Sequence, residues 1–337
     1  MQQHQQFFED FLGKKADTFT ALPQSGSSRI NYIGSSGGQD YIITYNENRR
    51  ENEAFFYFSE LFSGLGLNTP HIFKINTEEN LYIQEFLGRE TLSEVIASEG
   101  LSHRVKILVK KSLEQLYVLQ TTTSGKVDYS KSFEYERYDD LPVTHDLYYF
   151  KNFLVDILEI EYHKSTLLKE FRRIAAKVQS LEPKTLMIRD FQSRNILVNN
   201  NEVYFIDYQA AMYGPASYDV ISFLYQAKAN FPEDFRQEML QYYVSFWNDK
   251  VDKDHLSEAF NWIKMMRFLQ VLGAYGFRGL IQRKAHFITS LHQGIENIID
   301  LSGHWPVIHN DFPELCRIIR RLKDKDISDR IKLLINQ

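Results

Sequence analysis

What this chain has least of is cysteine. Cys316 stands alone among 337 residues, which excludes an intramolecular disulfide and fits a reducing compartment. No histidine-rich setting surrounds it, so core packing is expected of it rather than nucleophilic chemistry. Long apolar runs are missing too, since no stretch approaches the ~18–20 residues a membrane-spanning helix needs. The opening MQQHQQFFEDFLGKK has too few apolar positions, interrupted by acids, to read as a signal peptide. A cytoplasmic protein without a membrane partner is expected. An excess of basic charge is missing as well: with 39 Lys and Arg against 44 Asp and Glu, the net charge of −5 offers no electrostatic footprint for nucleic acid. That balance leaves a locally built anion site open.

Missing motifs narrow the chemistry further. No G-x-x-x-x-G-K-[ST] occurs, which excludes a P-loop enzyme. No G-x-G-x-x-G opens a helix after a strand, so a dinucleotide-binding fold is unsupported. Among the ten histidines, neither His286 and His292 nor His304 and His309 have the i, i+4 spacing of a helical zinc site. There is no internal repeat and no low-complexity segment.

What is there is an ordinary globular composition, 43% hydrophobic and 25% charged, with many aromatics (25 Phe and 20 Tyr) that core packing accounts for. A chain of this length can bury one large core or two modest ones. Phe7, Phe8, Phe11 and Leu12 line one side of a helix over 3–14, ended by Gly13. Strands are predicted over 18–22, 29–34 and 40–46, with Gly34–Gly38 as a plain hairpin turn. A helix follows over 49–62, its apolar face carrying Ala54, Phe55, Phe58, Leu61 and Phe62. Two strands, near 71–75 and 81–85, complete a sheet-rich N-terminal lobe. Past Gly88 the periodicity becomes helical, over 91–98, 102–122, 146–160 and 164–181, and again from 216 to the end. The stretch 121–144, acidic and aromatic over 133–140, fits either a lid or a solvated connection. The expectation is an α+β, bilobal fold. Residues 1–86 form a small antiparallel-sheet lobe with one main helix, and 87–337 a larger, mostly helical lobe.

Two short apolar strands interrupt the helical part, and the chemistry gathers there. Leu186–Val198 and Val203–Gln209 place Asp190 and Asn195 five residues apart around a tight loop, and Asp207 twelve residues further on. Two carboxylates and an amide joined by one hairpin suit an oxygen-loving divalent cation beside a hydroxyl that must lose a proton. The order is that of a kinase catalytic loop followed by its metal-binding aspartate. Asp190 is then the expected base, and Asn195 and Asp207 the ligands of Mg²⁺. Local turn hydrogen bonds are the bland alternative for any one of the three.

ATP needs backbone N–H groups aimed at its phosphates, and Ser25, Gly26, Ser27 and Ser28 form the candidate turn between the first two strands. The third strand carries Thr44 where a kinase lysine is expected, and no lysine at all. Glu51, near the start of the next helix, is placed to be that lysine's usual partner, or else belongs to a solvated helix face. Gln84, Glu85 and Phe86 lie in an extended segment, Tyr82–Gly88, whose main chain can serve adenine. Gln192, Arg194 and Arg267 are candidate acceptor contacts, with Arg suited to carboxylate or carbonyl oxygens. Asp219, in the first turns of a helix opened by Gly214–Pro215, is expected to cap that helix or brace the catalytic loop.

Arg189-Asp-Phe-Gln-Ser-Arg-Asn195, Ile206-Asp-Tyr-Gln209 and Gly214-Pro-x-x-Tyr-Asp219 resemble the aminoglycoside phosphotransferase and choline kinase family, whose fold is that of protein kinases. Glu51-Asn-Glu-Ala-Phe55, Gly66-Leu-Asn-Thr-Pro70 and Met266–Gly273 are most similar to its branch of bacterial anomeric N-acetylmuramate and N-acetylglucosamine kinases. The resemblance runs from about Ser25 to Gly273. It implies an ATP- and Mg²⁺-dependent kinase with a small-molecule hydroxyl acceptor, an amino sugar first, an aminoglycoside or choline-type alcohol second. Ile188 stands where the family has His, and with the vacant lysine position this keeps a non-catalytic nucleotide or sugar binder as the alternative. A protein kinase is a poorer fit, since no A-P-E-like segment follows Asp207. Nothing in the residues sets an oligomeric state.

Overall fold

The computed structural model describes residues 1–23, 28–227 and 229–336. The first elements are helix α1 (Gln2–Leu12), strands β1 (Thr18–Ala21), β2 (Ile30–Ser36) and β3 (Gln39–Tyr45), and helix α2 (Arg49–Gly64). Strands β4 (Ile72–Ile75), β5 (Leu81–Glu85) and β6 (Glu90–Thr91) follow, then helices α3 (Leu92–Glu99), α4 (His103–Thr122), α5 (Asp140–Phe150) and α6 (Lys164–Gln179). Strands β7 (Lys184–Met187), β8 (Ile196–Asn199), β9 (Glu202–Phe205) and β10 (Met212–Pro215) come next. The chain ends in helices α7 (Ser217–Leu224), α8 (Glu233–Ser245), α9 (Lys250–Tyr275), α10 (Ala285–His304), α11 (Pro306–Asp311), α12 (Pro313–Arg321) and α13 (Lys325–Asn336). This is the α+β class expected, sheet first and helices after. Packing divides it into two compact units, Met1–Glu136 with Thr185–Met212, and Arg137–Lys184 with Tyr213–Gln337.

In the first unit, β1-β2-β3-β5-β4 form an antiparallel sheet. Gly37 and Gly38, both at positive φ (60° and 79°), make the two-residue turn between β2 and β3. Strand alternation sends Tyr32, Ile43, Leu81 and Ile83 to one face, where α1 covers them with the fully buried Phe8. The ring of Phe8 lies so close to Gly34 that a Cβ there would sit 2.4 Å from it. The opposite face carries Asn31, Thr44, Tyr82 and Gln84, with Asn31 paired to Thr44 and Thr44 to Tyr82. Helix α2 belongs to that side, with Phe55 5.4 Å from Tyr82 between ring centres. Its N-terminus is capped by Asn48, whose side chain accepts from the Glu51 N–H.

In the second unit the long helix α9 packs against α5, and glycines set the distance. A Cβ on Gly273 would lie 2.8 Å from the Phe150 nitrogen, and one on Gly276 only 1.9 Å from the Phe153 carbonyl oxygen. Both chains wind into π-helical turns at this crossing, Lys151–Val155 and Gly276–Ile281. Because the clash at Gly276 is with backbone, it cannot be relieved by a rotamer change. Gly276→Ala is therefore expected to lower stability by about 1–3 kcal/mol, read as a fall in the midpoint of chemical unfolding. An unchanged midpoint would show that the crossing yields. Elsewhere in this unit the buried carboxylate of Glu170 accepts from the N–H groups of Glu314 and Leu315 (2.9 and 2.8 Å), closing the first turn of α12. Cys316, in that helix, is buried as expected.

Candidate active site

The loop that carries the site is local, built by one hairpin in the first unit. Strand β7 leads into the buried Ile188, and Arg189 then turns the chain at φ 73° to present Asp190. A short 3-10 turn, Ser193–Asn195, brings the chain back into β8. Asn200 and Asn201, both at positive φ, form the two-residue turn to β9, a conformation Asn tolerates better than most residues. Asp207 sits two residues past β9 at φ 65°. Arg189 and Asp207 are thus both left-handed non-glycine residues, each costing on the order of 1 kcal/mol or more, and the surrounding bonds must hold them. Those bonds are present. Asn195 N–H donates to the Gln192 carbonyl (2.8 Å) and Ile206 N–H to the Asn195 carbonyl (3.1 Å), while Phe205 N–H reaches Asn68 (2.9 Å).

The three residues singled out by spacing meet. The Asn195 amide nitrogen donates to the Asp190 carbonyl at 2.9 Å, and lies 3.2 Å from Asp207 Oδ2 and 3.4 Å from Asp190 Oδ2. Gln192 donates to Asp190 Oδ1 at 2.6 Å and Arg194 to Oδ2 at 2.8 Å. The side chain of Arg194 remains 58% exposed, so its ion pair with Asp190 is open to solvent and to replacement. Gln209 donates to Asp207 Oδ1 at 3.0 Å. Next to Asp207, the fully buried Tyr208 stacks on Phe55 at 5.1 Å and shares a 2.7 Å hydrogen bond with Ser59. Helix α2 is thereby tied to the backbone that presents Asp207.

One residue of this constellation escapes a reading by motif. Arg29, just before β2, donates from Nη2 to Glu51 Oε1 (2.7 Å) and from Nη1 to Asp207 Oδ1 (3.0 Å). Its side chain is only 11% exposed and lies over the Phe55 ring. Burial opposes its charge, but Tyr82, Asp207 and Glu51 more than offset this, so the guanidinium is held above its ordinary range. Tyr82, buried beside it, is pushed up to about 12, chiefly by desolvation. Glu51 is held on its other oxygen by Asn46 Nδ2 at 2.9 Å. The signal that could have found Arg29 is alternation. It stands two residues before Asn31, which pairs with Thr44, so it shares a sheet face with the vacant lysine position.

The remaining expected residues are placed as follows. Ser25, Gly26 and Ser27 lie outside the described residues, and Ser28 is exposed. Gln84 donates to Thr44 Oγ1 at 3.1 Å, and Thr44 donates to Asn31 at 2.8 Å, so a neutral polar ladder fills the third strand's position. Glu85 N–H donates to the His71 carbonyl at 2.8 Å. Phe86, with Arg89 over its ring, lies just past the last ladder pair, Tyr41 with Glu85. Asp219 and Arg267 belong to the second unit. Asp219 is fully buried in the first turn of α7. Arg267 is 8% exposed, donating to the Tyr218 hydroxyl at 2.9 Å and to the Gln270 side chain. Gln270 in turn donates to the buried Asp146 at 3.3 Å.

Comparison with known proteins decides the family. Residues 18–255 match the phosphotransferase enzyme family. The chain belongs to that family. Within it, the chain is 24% identical over 214 residues to the N-acetylmuramate/N-acetylglucosamine kinase of Pseudomonas aeruginosa, covering 62% of this chain and 60% of that one. The enzyme of the same description from Neisseria meningitidis is 23% identical over 223 residues, or 62% of this chain and 63% of that one. The match thus spans about 60% of the length of these curated relatives. Among solved structures, choline kinase from Streptococcus pneumoniae superposes with a TM-score of 0.60 at 13% identity, over 88% of this chain and 99% of that one. An ADP-bound aminoglycoside phosphotransferase also gives 0.60, at 14% identity over 89% and 98%. At such identities the likeness is one of fold, and it agrees with the resemblance drawn from the motifs. No helix among the described residues of this phosphotransferase family member is long and apolar enough to cross a membrane.

Proposed function

We propose that this protein is an ATP- and Mg²⁺-dependent kinase that phosphorylates a hydroxyl of a small molecule, an amino sugar such as N-acetylmuramate or N-acetylglucosamine before others. The observation that carries the reading is the sharing of one amide, Asn195, by two carboxylates with different surroundings. Asp190, bracketed by Gln192 and the exposed Arg194, is the proton acceptor for the incoming hydroxyl. When Arg194 swings away, Asp190 Oδ2 becomes free to take that proton. Arg194 and Gln192 are then in reach of the acceptor itself.

Asp207 and Asn195 fit a magnesium ion by donor chemistry. Among the described residues no three His, Cys, Asp or Glu side chains gather as a protein-only cage. Mg²⁺ does not require such a cage, since it takes one or two carboxylates and completes its shell with water and phosphate oxygens. Asn195 would have to turn its amide, because its nitrogen now faces Asp207. Bound there, Mg²⁺ neutralises charge on the phosphate oxygens. Main-chain groups of the Tyr82–Gly88 segment, with Gln84, Glu85 and Phe86, are proposed for adenine, those past Glu85 lying beyond the sheet ladder. By role, residues 1–86 then supply nucleotide contacts and 87–337 the base, the metal ligands and the acceptor contacts. The amino-sugar preference is supported by the two bacterial relatives, and choline-type or aminoglycoside acceptors are the alternatives in the same assay. The test is ATP consumption with mass-spectrometric detection of product against N-acetylmuramate, N-acetylglucosamine, choline and an aminoglycoside. Phosphorylated amino sugar is expected, and no phosphorylated product from any of the four would overturn the reading.

A further inference from the structure

We propose that Arg29 is the cation that binds the nucleotide's phosphates, taking over the task for which the third strand holds no lysine. This rests on the reading of the site as a nucleotide site. A polyphosphate with several negative charges, next to the two carboxylates Glu51 and Asp207, needs positive charge from the protein as well as from a metal. Thr44 cannot supply it, being neutral and tied on both sides to Asn31 and Gln84. Arg29 shares the sheet face of Thr44, is buried to 11% exposure, and already touches the proposed metal ligand Asp207.

The fork geometry explains how one side chain serves two states. Nη2 is held by Glu51 at 2.7 Å, and Glu51 is itself braced by Asn46, so this half of the guanidinium is anchored to α2. Nη1 rests on Asp207 at 3.0 Å. Were a metal ion to bind at Asp207, the guanidinium beside it would be repelled, and Nη1, on a largely buried side chain, would need another acceptor in place of Asp207. A phosphate oxygen is the replacement that a planar, two-pronged donor is suited to accept. Arg29 can change partners at Nη1 without leaving Glu51. Nucleotide and metal should therefore bind with positive coupling, each removing the obstacle to the other.

The experiment is calorimetric titration of the full chain, wild type, Arg29→Ala and Arg29→Lys, with MgATP and with adenosine, after thermal unfolding has shown which variants fold. Loss of a charge-assisted contact is expected to weaken MgATP by about 10- to 100-fold in Arg29→Ala, with adenosine affinity unchanged. Arg29→Lys keeps the charge without the fork, should fall between, and carries the test should Arg29→Ala fail to fold. Introducing Thr44→Lys into Arg29→Ala is expected to recover part of the MgATP affinity. Equal weakening of MgATP and adenosine would mean a merely structural role, and unchanged MgATP affinity would mean that Arg29 does not touch the phosphates. Wild-type protein that binds neither ligand would sink the nucleotide reading itself, a result distinct from the other two.

Discussion

Asp190→Asn is expected to lower kcat for phosphoryl transfer by about 10²- to 10⁴-fold, while KM for ATP moves by no more than a few-fold. The substitution conserves shape. Gln192 can still donate to the remaining carbonyl oxygen, and Asn195 keeps its 2.9 Å bond to the residue's backbone carbonyl. What disappears is a side chain able to accept the hydroxyl's proton, and with it the ion pair to Arg194. Because that pair is solvent-exposed, its loss should cost little stability. The measurement is steady-state kinetics alongside a melting curve. A variant that folds and turns over within threefold of wild type would remove Asp190 from the chemistry.

Asp207→Asn should have an effect of similar or greater size through a different route. Withdrawing the carboxylate takes away the anionic metal ligand, and several kcal/mol of transition-state stabilisation corresponds to a loss of about a thousandfold in kcat/KM. Asparagine rather than alanine is the informative choice. Asp207 occupies φ 65°, a conformation Asn adopts with little penalty, and its amide oxygen can still accept from Arg29 and Gln209. The distinguishing signature is the magnesium titration, in which half-maximal activity should move to higher Mg²⁺ for Asp207→Asn. An unchanged magnesium dependence would show that the ion is held elsewhere. For Asp190→Asn the half-maximal magnesium concentration should stay at the wild-type value, so the two variants separate base from metal ligand.

The alternative of a binder without transfer gains its force from two features, Ile188 and the empty lysine position. Ile188 is buried in the loop, where an apolar side chain can pack in place of the family's His. Arg29 supplies positive charge on the sheet face where the lysine is missing. Both features are thereby compatible with catalysis, and the kinetic variants above discriminate between the readings.

Much of this was open to reading along the chain, because the relevant contacts are local. Asp190, Asn195 and Asp207 lie within one hairpin, at separations of five and twelve residues, and the apolar strands around them leave little choice of register. The family resemblance followed from the same stretch. The helix α2 stripe of Ala54, Phe55, Phe58 and Phe62 was legible for the same reason, since helical spacing is a property of neighbours in sequence. The expected helix over 146–160 differs at both ends: α5 begins at Asp140, capped by Asp139, with Pro142 in its first turn. It then gives way to π-helical turns at 151–155 rather than running on to 160, where a glycine of another helix comes within contact of its backbone.

Tertiary structure alone decided the rest. Arg29 meets Asp207 across 178 residues and Glu51 across 22, distances over which no periodicity carries information. Arg29 precedes the first paired residue of β2, Ile30, and its charge is kept against burial by the carboxylates that the fold brings beside it. Gln192 and Arg194 each hold one oxygen of Asp190, contacts that the spacing of the loop does not announce. Arg267 is drawn into a polar network with Tyr218, Gln270 and Asp146. The amino-acid sequence by itself determined the carboxylate–amide hairpin and the helix that faces it, since both are set by residues a few positions apart. The place of Arg29 between Asp207 and Glu51 was decided by tertiary structure, because a buried arginine finds its counter-ions wherever the fold brings carboxylates together.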